Sequence, residues 1–398
     1  MKRILSLLFA LCLLLSLVAC KDGQVDSSSS SSEIPPATDY TEKLVPMQEV
    51  LRFSLVDGRT GMLEEGAISF DWSGNAITFT ADCEGSVSLF LSVGKTAYNR
   101  DDIVDATVAS AFSLTVDGVR TVDRFFVYEE EGLVEWRLAE DLPRGEHTFR
   151  VVRQSKIMSV TADLCAISLC GELKQMQSNA PFIEFIGDSI TCGHGIYKTV
   201  EHEDANHYGY LSFLSDNAEE AYAVKTALAL GARYSILGFS GSGYAFGWTP
   251  YSVPDVYGKT SYVRGDEEYV YERTPDLVVI NLGTNDTSRW GILPDGSKLL
   301  EEQIPLYFEE EFIKFINTLV DNYGVDTPIV FAYGAVNNAG IDRVIPILEE
   351  VFPNLNWYTV ALTRNQDACA GHPSVEGGTI QAQDLTTFLL EQFPELFQ

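Results

Sequence analysis

The sequence predicts two domains, an antiparallel β-sandwich followed by a three-layer α/β domain. Three observations predict this. The chain has 398 residues, more than one small domain holds, and 45% of them are hydrophobic, enough for two cores. Over residues 44–175, short β-rich runs follow one another with turn residues between them. Over residues 180–398, apolar runs alternate with helical stretches.

The first domain is read from VLRFSLV, AISFDW, AITFTADC, SVSLFLSV, FSLTVDGV, DRFFVYEE, LVEWRL and HTFRVVRQ. Asp-Gly, Gly-Asn, Glu-Gly and Pro-Arg-Gly punctuate them, as turns between strands require. No amphipathic helix interrupts the series, so a jelly-roll-like sandwich is expected. The second domain is read from FIEFIG, YSILGFS, DLVVINLG, PIVFAYG and NWYTVAL. Such continuous apolar strands imply burial on both faces, as in a parallel sheet. AEEAYAVKTALAL, EEEFIKFINTLVDNYG, GIDRVIPILEEVF and TIQAQDLTTFLLEQF supply the covering helices.

Ahead of both domains, residues 1–20 carry Lys2 and Arg3, an apolar stretch, and then Leu17-Val18-Ala19-Cys20. That is a secretory signal, and its end resembles a bacterial lipobox with Cys20 as the lipidated residue. A short membrane anchor or a plain cleaved signal is the alternative. Residues 21–43, with unbroken serine from Ser27 to Ser32 and then Pro35-Pro36, read as a flexible tether. The expected location is therefore extracytoplasmic, with the membrane reached only through the lipid.

The formal net charge of −30 argues against nucleic acid and anionic lipid as partners; it is compatible with a neutral polymer such as a polysaccharide, and equally with a solvated acidic surface that keeps a secreted protein soluble. The cysteines beyond Cys20 are Cys83, Cys165, Cys170, Cys192 and Cys369. They are odd in number and irregular in spacing, which is no disulfide framework. Neither cysteines nor histidines have ligand spacing, so no metal and no cofactor are expected.

Ligands on open α/β sheets bind beyond the carboxyl ends of the strands. Ser189 follows the first strand of the second domain in IEFIGDSITCGHG. Gly241 follows the second in GFSGSG, Asn285 the third in NLGTNDTS, and His372 the last in CAGHPSVEGG. A hydroxyl, a base and hydrogen-bond donors on one rim are the requirements of acyl transfer. Taken singly, Ser189 fits a turn, Gly241 a turn glycine, Asn285-Asp286 an Asx turn and His372-Pro373 a helix entry.

These four ordered blocks resemble the SGNH, or GDSL-type, hydrolase superfamily from about Pro181 onward. With a preceding β-sandwich, GDSITCG and LGTNDTS are more particularly similar to carbohydrate esterase family 2, which removes acetyl groups from xylan and related polysaccharides. The resemblance implies a flavodoxin-like parallel sheet and a serine esterase acting on acetylated carbohydrate. It implies that Ser189 is the nucleophile and His372 the base. The Ser189 N–H, the Gly241 N–H and the Asn285 amide would form the oxyanion hole, while Asp188 organises the loop. The superfamily's aspartate three residues before the histidine is replaced by Cys369. A backbone carbonyl is the first choice to orient His372, with Asp367 second and an unassisted Ser-His dyad third. Cys192 and Cys369 each lie three residues from a catalytic residue, so a disulfide between them stands beside inert thiols. Tyr244, Trp248, Tyr251 and Trp290 are candidates to stack on sugar faces, against ordinary loop packing. His194, His202 and His207 follow Ser189, where one would line the mouth; His147 lies in the first domain. The alternatives are another ester, from acetylated cell-wall glycan or lysophospholipid, and a non-catalytic carbohydrate-binding lipoprotein.

Overall fold

A computed structural model describes residues 40–95, 109–157, 160–197, 212–265, 267–271, 273–337 and 340–398. The signal, Cys20, most of the tether, His202 and His207 lie outside the described residues. No helix among the described residues is long and apolar enough to cross a membrane.

The first half is one antiparallel sheet. Its strands are β1 (Glu42–Pro46), β2 (Leu55–Asp57), β3 (Ile68–Ser69), β4 (Ala76–Lys95), β5 (Ala109–Val116), β6 (Val119–Tyr128), β7 (Val134–Arg153) and β8 (Val160–Lys174). The order is β1-β8-β4-β7-β5-β6, with β2 on β4 and β3 on β8. Two expected turns are bulges instead. AITFTADC and SVSLFLSV join through Glu84-Gly85 into β4, and LVEWRL and HTFRVVRQ join through Pro143-Arg144-Gly145 into β7. The register shifts there, between Cys83 opposite Gly145 and Gly85 opposite Leu142. Bulges accommodate residues that cannot keep a regular ladder, and they bend the strands. The sheet thus closes over a single apolar core that includes Phe79, Phe112, Trp136 and Phe149. Asp117-Gly118, both at positive φ, make the β5–β6 hairpin turn. VLRFSLV differs more: Met47–Val50 is a helical turn and only Leu55–Asp57 pairs.

The second half is a five-stranded parallel sheet. Its strands are β9 (Phe182–Gly187), β10 (Arg233–Gly238), β11 (Leu277–Asn281), β12 (Ile329–Tyr333) and β13 (Trp357–Ala361), in the order β10-β9-β11-β12-β13. The helices of five or more residues among the described residues of this half are α1 (Tyr222–Ala229), α2 (Val253–Tyr257), α3 (Thr284–Ser288), α4 (Ile304–Tyr323), α5 (Ile341–Val351) and α6 (Val375–Gln392). Side chains alternate between the two faces, as strand geometry dictates. Ile183, Phe185, Leu277 and Val279 pack with α1 and α6. Ile186, Val278 and Ile280 pack with α4 and α5. This is the three-layer architecture expected.

Both sheets belong to one compact unit. Trp72 and Ile157 of the first half are fully buried in the α4 side of the second-half core, and Trp72 Nε1 donates to the Thr260 carbonyl at 2.8 Å. Glu184, in the middle of β9, is 2% exposed and would be an uncompensated charge without Arg59, itself 1% exposed. Arg59 donates to its carboxylate at 2.9 Å, and Tyr257 and Tyr323 donate to the other oxygen at 2.9 Å each. Removing one member of such a pair strands the other in low dielectric. Glu184→Ala or Arg59→Met is therefore expected to lose about 3–5 kcal/mol of stability. Joint replacement by Leu and Met should lose less than either alone. Denaturant unfolding of the three variants checks the order.

Candidate active site

The strand order changes direction at β9. The connection from β9 leads to β10 on one side, and β11 then pairs on the other. The crevice at such a switch point is where α/β sheets bind ligands. Asp188 and Ser189 leave the end of β9 there, and Asn285 enters on α3 just after β11. One hydrogen bond joins the two sides: Asn285 Nδ2 donates to Asp188 Oδ2 at 3.0 Å.

The loop after β9 is tightly wound because its glycines permit contacts that a side chain would forbid. A Cβ on Gly187 would lie 2.0 Å from Thr191 Oγ1, and one on Gly193 would lie 2.2 Å from the Asn217 carbonyl oxygen. The Cys192 N–H donates to the Asp188 carbonyl at 3.1 Å and the His194 N–H to the Ser189 carbonyl at 3.0 Å. Ile190 N–H donates to Asp188 Oδ1 at 3.0 Å. Asp188 is fully buried, and burial pushes its carboxyl up to about 7, with Asp286 adding and the Ile190 N–H opposing. It organises the loop and does not face outward. Ser189 keeps 7% of its surface exposed.

Gly241 has φ +82, the left-handed region that suits glycine. Neither the Ser189 N–H nor the Gly241 N–H donates a hydrogen bond among the described residues, so both are available to an incoming oxygen. The Asn285 amide is placed differently from expectation. Its Nδ2 also donates to the Ser242 carbonyl at 2.9 Å, so both hydrogens are engaged. Asp286, unassigned by sequence, accepts from the Tyr244, Ala245 and Phe246 N–H groups at 2.8–2.9 Å and thereby folds the loop that carries Gly241. Gly243 is required there, because a Cβ would lie 2.1 Å from Asp286 Oδ2.

His372 Nδ1 lies 2.8 Å from the Cys369 carbonyl oxygen. A carbonyl can only accept, so Nδ1 carries the proton and Nε2 keeps its lone pair. The turn that aims this carbonyl, Cys369–Gly371, holds Ala370 at φ 55. Asp367 does not orient the ring: it is exposed and accepts from Asn365 Nδ2 at 2.7 Å. Burial, helped by His194, pushes the His372 imidazole down to about 4. His372 packs against the Ser189 loop, with its ring 5.0 Å from that of His194 and nearly perpendicular to it. The Cys369 N–H donates to the Gly195 carbonyl at 3.0 Å. Cys192 and Cys369 are both free thiols, so the disulfide alternative is not realised.

The aromatic candidates separate. Tyr244 is corrected to a core residue: it is 2% exposed, with its ring 5.1 Å from that of Phe312. Trp290 is half-buried against Phe246 and Phe308, with Arg343 over its ring at 4.2 Å. Trp248 is 64% exposed and Tyr251 41%. The Trp248 main-chain N–H donates to the Gly241 carbonyl at 2.7 Å, which holds the Trp248 backbone beside Gly241, and its indole Nε1 donates to Ser288 Oγ at 3.1 Å.

Sequence reasoning also missed a cluster behind His372. His194 Nδ1 lies 2.7 Å from Asp216 Oδ1 and 2.9 Å from Lys156 Nζ. Lys156 comes from the first half, and no motif ties it to the other two.

Residues 183–385, half of the chain, match the GDSL-like lipase/acylhydrolase family. The chain belongs to this family. Among relatives of known activity, an acetylxylan esterase / glucomannan deacetylase of Cellvibrio japonicus is 26% identical over 257 residues, 61% of this chain and 66% of that protein. A cellulase/esterase, CelE, of Acetivibrio thermocellus is 36% identical over 221 residues, 51% of this chain and 25% of that protein. The chain thus spans just under two thirds of one relative and a quarter of the other. Among solved structures, an acetyl xylan esterase (Est2A) from the rumen bacterium Butyrivibrio proteoclasticus superposes with a TM-score of 0.74 at 19% identity, covering 90% of this chain and all of that one. A family two carbohydrate esterase from Clostridium thermocellum, in complex with cellohexaose, gives 0.70 at 20% identity, covering 86% and 99%. These last likenesses are of fold, and they extend over both halves.

Gly195 is the tightest point of the histidine seat. With φ +68, a Cβ there would lie 3.0 Å from the Cys369 carbonyl oxygen and 3.2 Å from His372 Nδ1. Gly195→Ala should displace the Cys369 carbonyl from His372 Nδ1 and lower any hydrolysis of an aryl acetate at least about tenfold. Melting curves should separate this loss from unfolding.

Proposed function

We propose that this chain is an extracytoplasmic serine esterase that removes O-acetyl groups from xylan- or mannan-type carbohydrate. The observation that carries the reading is the His372 seat, where a backbone carbonyl holds Nδ1 and leaves Nε2 as a base beside the Ser189 loop. The acetyl esterase activity named for the relatives supports the substrate class. Ser189 Oγ attacks the acetyl carbonyl while His372 takes its proton. The Ser189 and Gly241 N–H groups receive the developing oxyanion, and Asn285 adds a third donor by releasing the Ser242 carbonyl. His372 then protonates the departing sugar hydroxyl. Water, deprotonated by the same nitrogen, cleaves the acyl-enzyme and releases acetate. Trp248 offers the sugar an exposed ring next to Gly241. The signal and Cys20 support a lipid-anchored location outside the cytoplasm.

The decisive test is acetate release from acetylated xylan and glucomannan by wild type and Ser189→Ala. Release that disappears in the variant is the expected result. Unchanged wild-type and variant signals, with an aryl acetate also left intact, would favour the non-catalytic binder. Asn285→Ala should lower kcat by about 10²–10³. Trp248→Ala should raise KM with kcat nearly unchanged, as the loss of uniform binding does.

The pH profile follows from the base. An imidazolium cannot accept the serine proton, so activity falls as pH drops through the His372 value. With that value held down to about 4, kcat/KM should persist well below the ordinary histidine range and decline only near pH 4. A pH–rate profile with an aryl acetate reads this directly.

A further inference from the structure

The link between β7 and β8 carries Lys156 across to the α/β half. Its neighbours fix it there. Ile157 is fully buried in the α/β core, and Gln154 accepts from the Ala218 N–H at 3.1 Å through its carbonyl and donates to Glu219 at 3.0 Å through Nε2. The Lys156 ammonium therefore has a defined place, 2.9 Å from His194 Nδ1. Asp216 Oδ1 meets the same nitrogen at 2.7 Å and also accepts from the Gly195 N–H at 3.2 Å. Asp216 Oδ2 is buried without a partner among the described residues, so this carboxylate is compensated mainly through the cluster. Lys156 and His194 hold it down to about 2 against the push of burial.

A buried carboxylate beside a histidine would ordinarily make that histidine an imidazolium. Here a doubly protonated ring would carry its charge beside an ammonium 2.9 Å from Nδ1. Lys156 supplies the positive charge that Asp216 needs, and His194 need not. This matters because His194 packs edge-to-face on His372 at 5.0 Å. His372 becomes positive in the transition state, and a second imidazolium at that distance would oppose it.

We propose that Lys156, supplied by the N-terminal sheet, is a positioning residue for the His372 base: its ammonium bars a second proton from His194, so that an uncharged ring stands against His372 as it takes the serine proton. The proposal rests on the esterase reading above. The other groups near the two rings do not substitute for Lys156. Arg124 donates to the Leu214 carbonyl at 2.7 Å and the Asp216 carbonyl at 3.0 Å. The Cys192 thiol is pushed up to about 12 by burial and stays neutral. Asp188 is tied to Asn285, and Asp367 to Asn365.

The test pairs histidine NMR titration with pH–rate profiles on an aryl acetate, for wild type, Lys156→Met and Lys156→Arg. Lys156→Met should raise the His194 titration and move the acid limb of kcat/KM up with it. Lys156→Arg restores the charge and should keep the wild-type profile. If Lys156→Met fails to fold, as melting would reveal, Lys156→Gln carries the same charge change. A His194 titration or an acid limb that superimposes on wild type in the neutral variant overturns the proposal. Aryl acetate hydrolysis that survives in Ser189→Ala overturns the esterase reading instead, and the NMR titration is read independently of it.

Discussion

A single buried ion pair sets the terms for the rest of the molecule. Glu184 sits in β9, the strand from which Ser189 emerges, on the face turned toward α4. A carboxylate there is untenable in isolation, because desolvation outweighs anything the apolar neighbours return. Arg59 reaches it from the first half, and Tyr257 and Tyr323 satisfy the remaining oxygen. The rings of Tyr257 and Tyr269 lie 4.8 and 4.3 Å from the guanidinium carbon and enclose the charge. The pair need not add net stability over an apolar replacement. What it does show is a tie between the halves: the Glu184 carboxylate in β9 is paired with an arginine of the first half.

Other contacts tie the two halves as well. The Asp71–Arg264 contacts at 2.6 and 2.8 Å and the Arg120–Glu219 pair repeat the same theme along the interface. At the strand ends the requirements become local. Glycines let the Ser189 loop lie against its neighbours, Asp286 gathers three N–H groups, and a turn strained at Ala370 points a carbonyl at His372. Strain of this kind persists where surrounding contacts over-determine it. A carbonyl fixes the tautomer of the imidazole as a carboxylate would, but brings only a partial charge to it.

Much of this was legible in the sequence. The five parallel strands were readable because buried strands are continuous apolar runs, and Ser189, Gly241 and Asn285 follow the ends of three of them as read. The bulges in β4 and β7 were not readable, because Gly and Pro mark a bulge and a turn alike; only pairing across the sheet distinguishes them. Tyr244 looked like a rim residue because it follows a glycine-rich turn, yet Asp286 pulls that turn inward. Asp367 was a reasonable partner for His372 by residue type, but the turn at Ala370 puts a nearer acceptor in its place. Lys156 had no signal at all, since its contact with His194 depends on two halves meeting and not on spacing within either.

The β7–β8 link has a consequence for inheritance. A domain that merely accompanies an enzyme can be exchanged, lost or replaced by recombination at the joint between them. Here the joint near residue 178 is a poor crossover point, because Ile157 fills a socket in the opposite core and its neighbour Lys156 stands behind the opposite half's histidines. Chimaeras that join halves from different lineages would inherit an empty socket and a bare carboxylate.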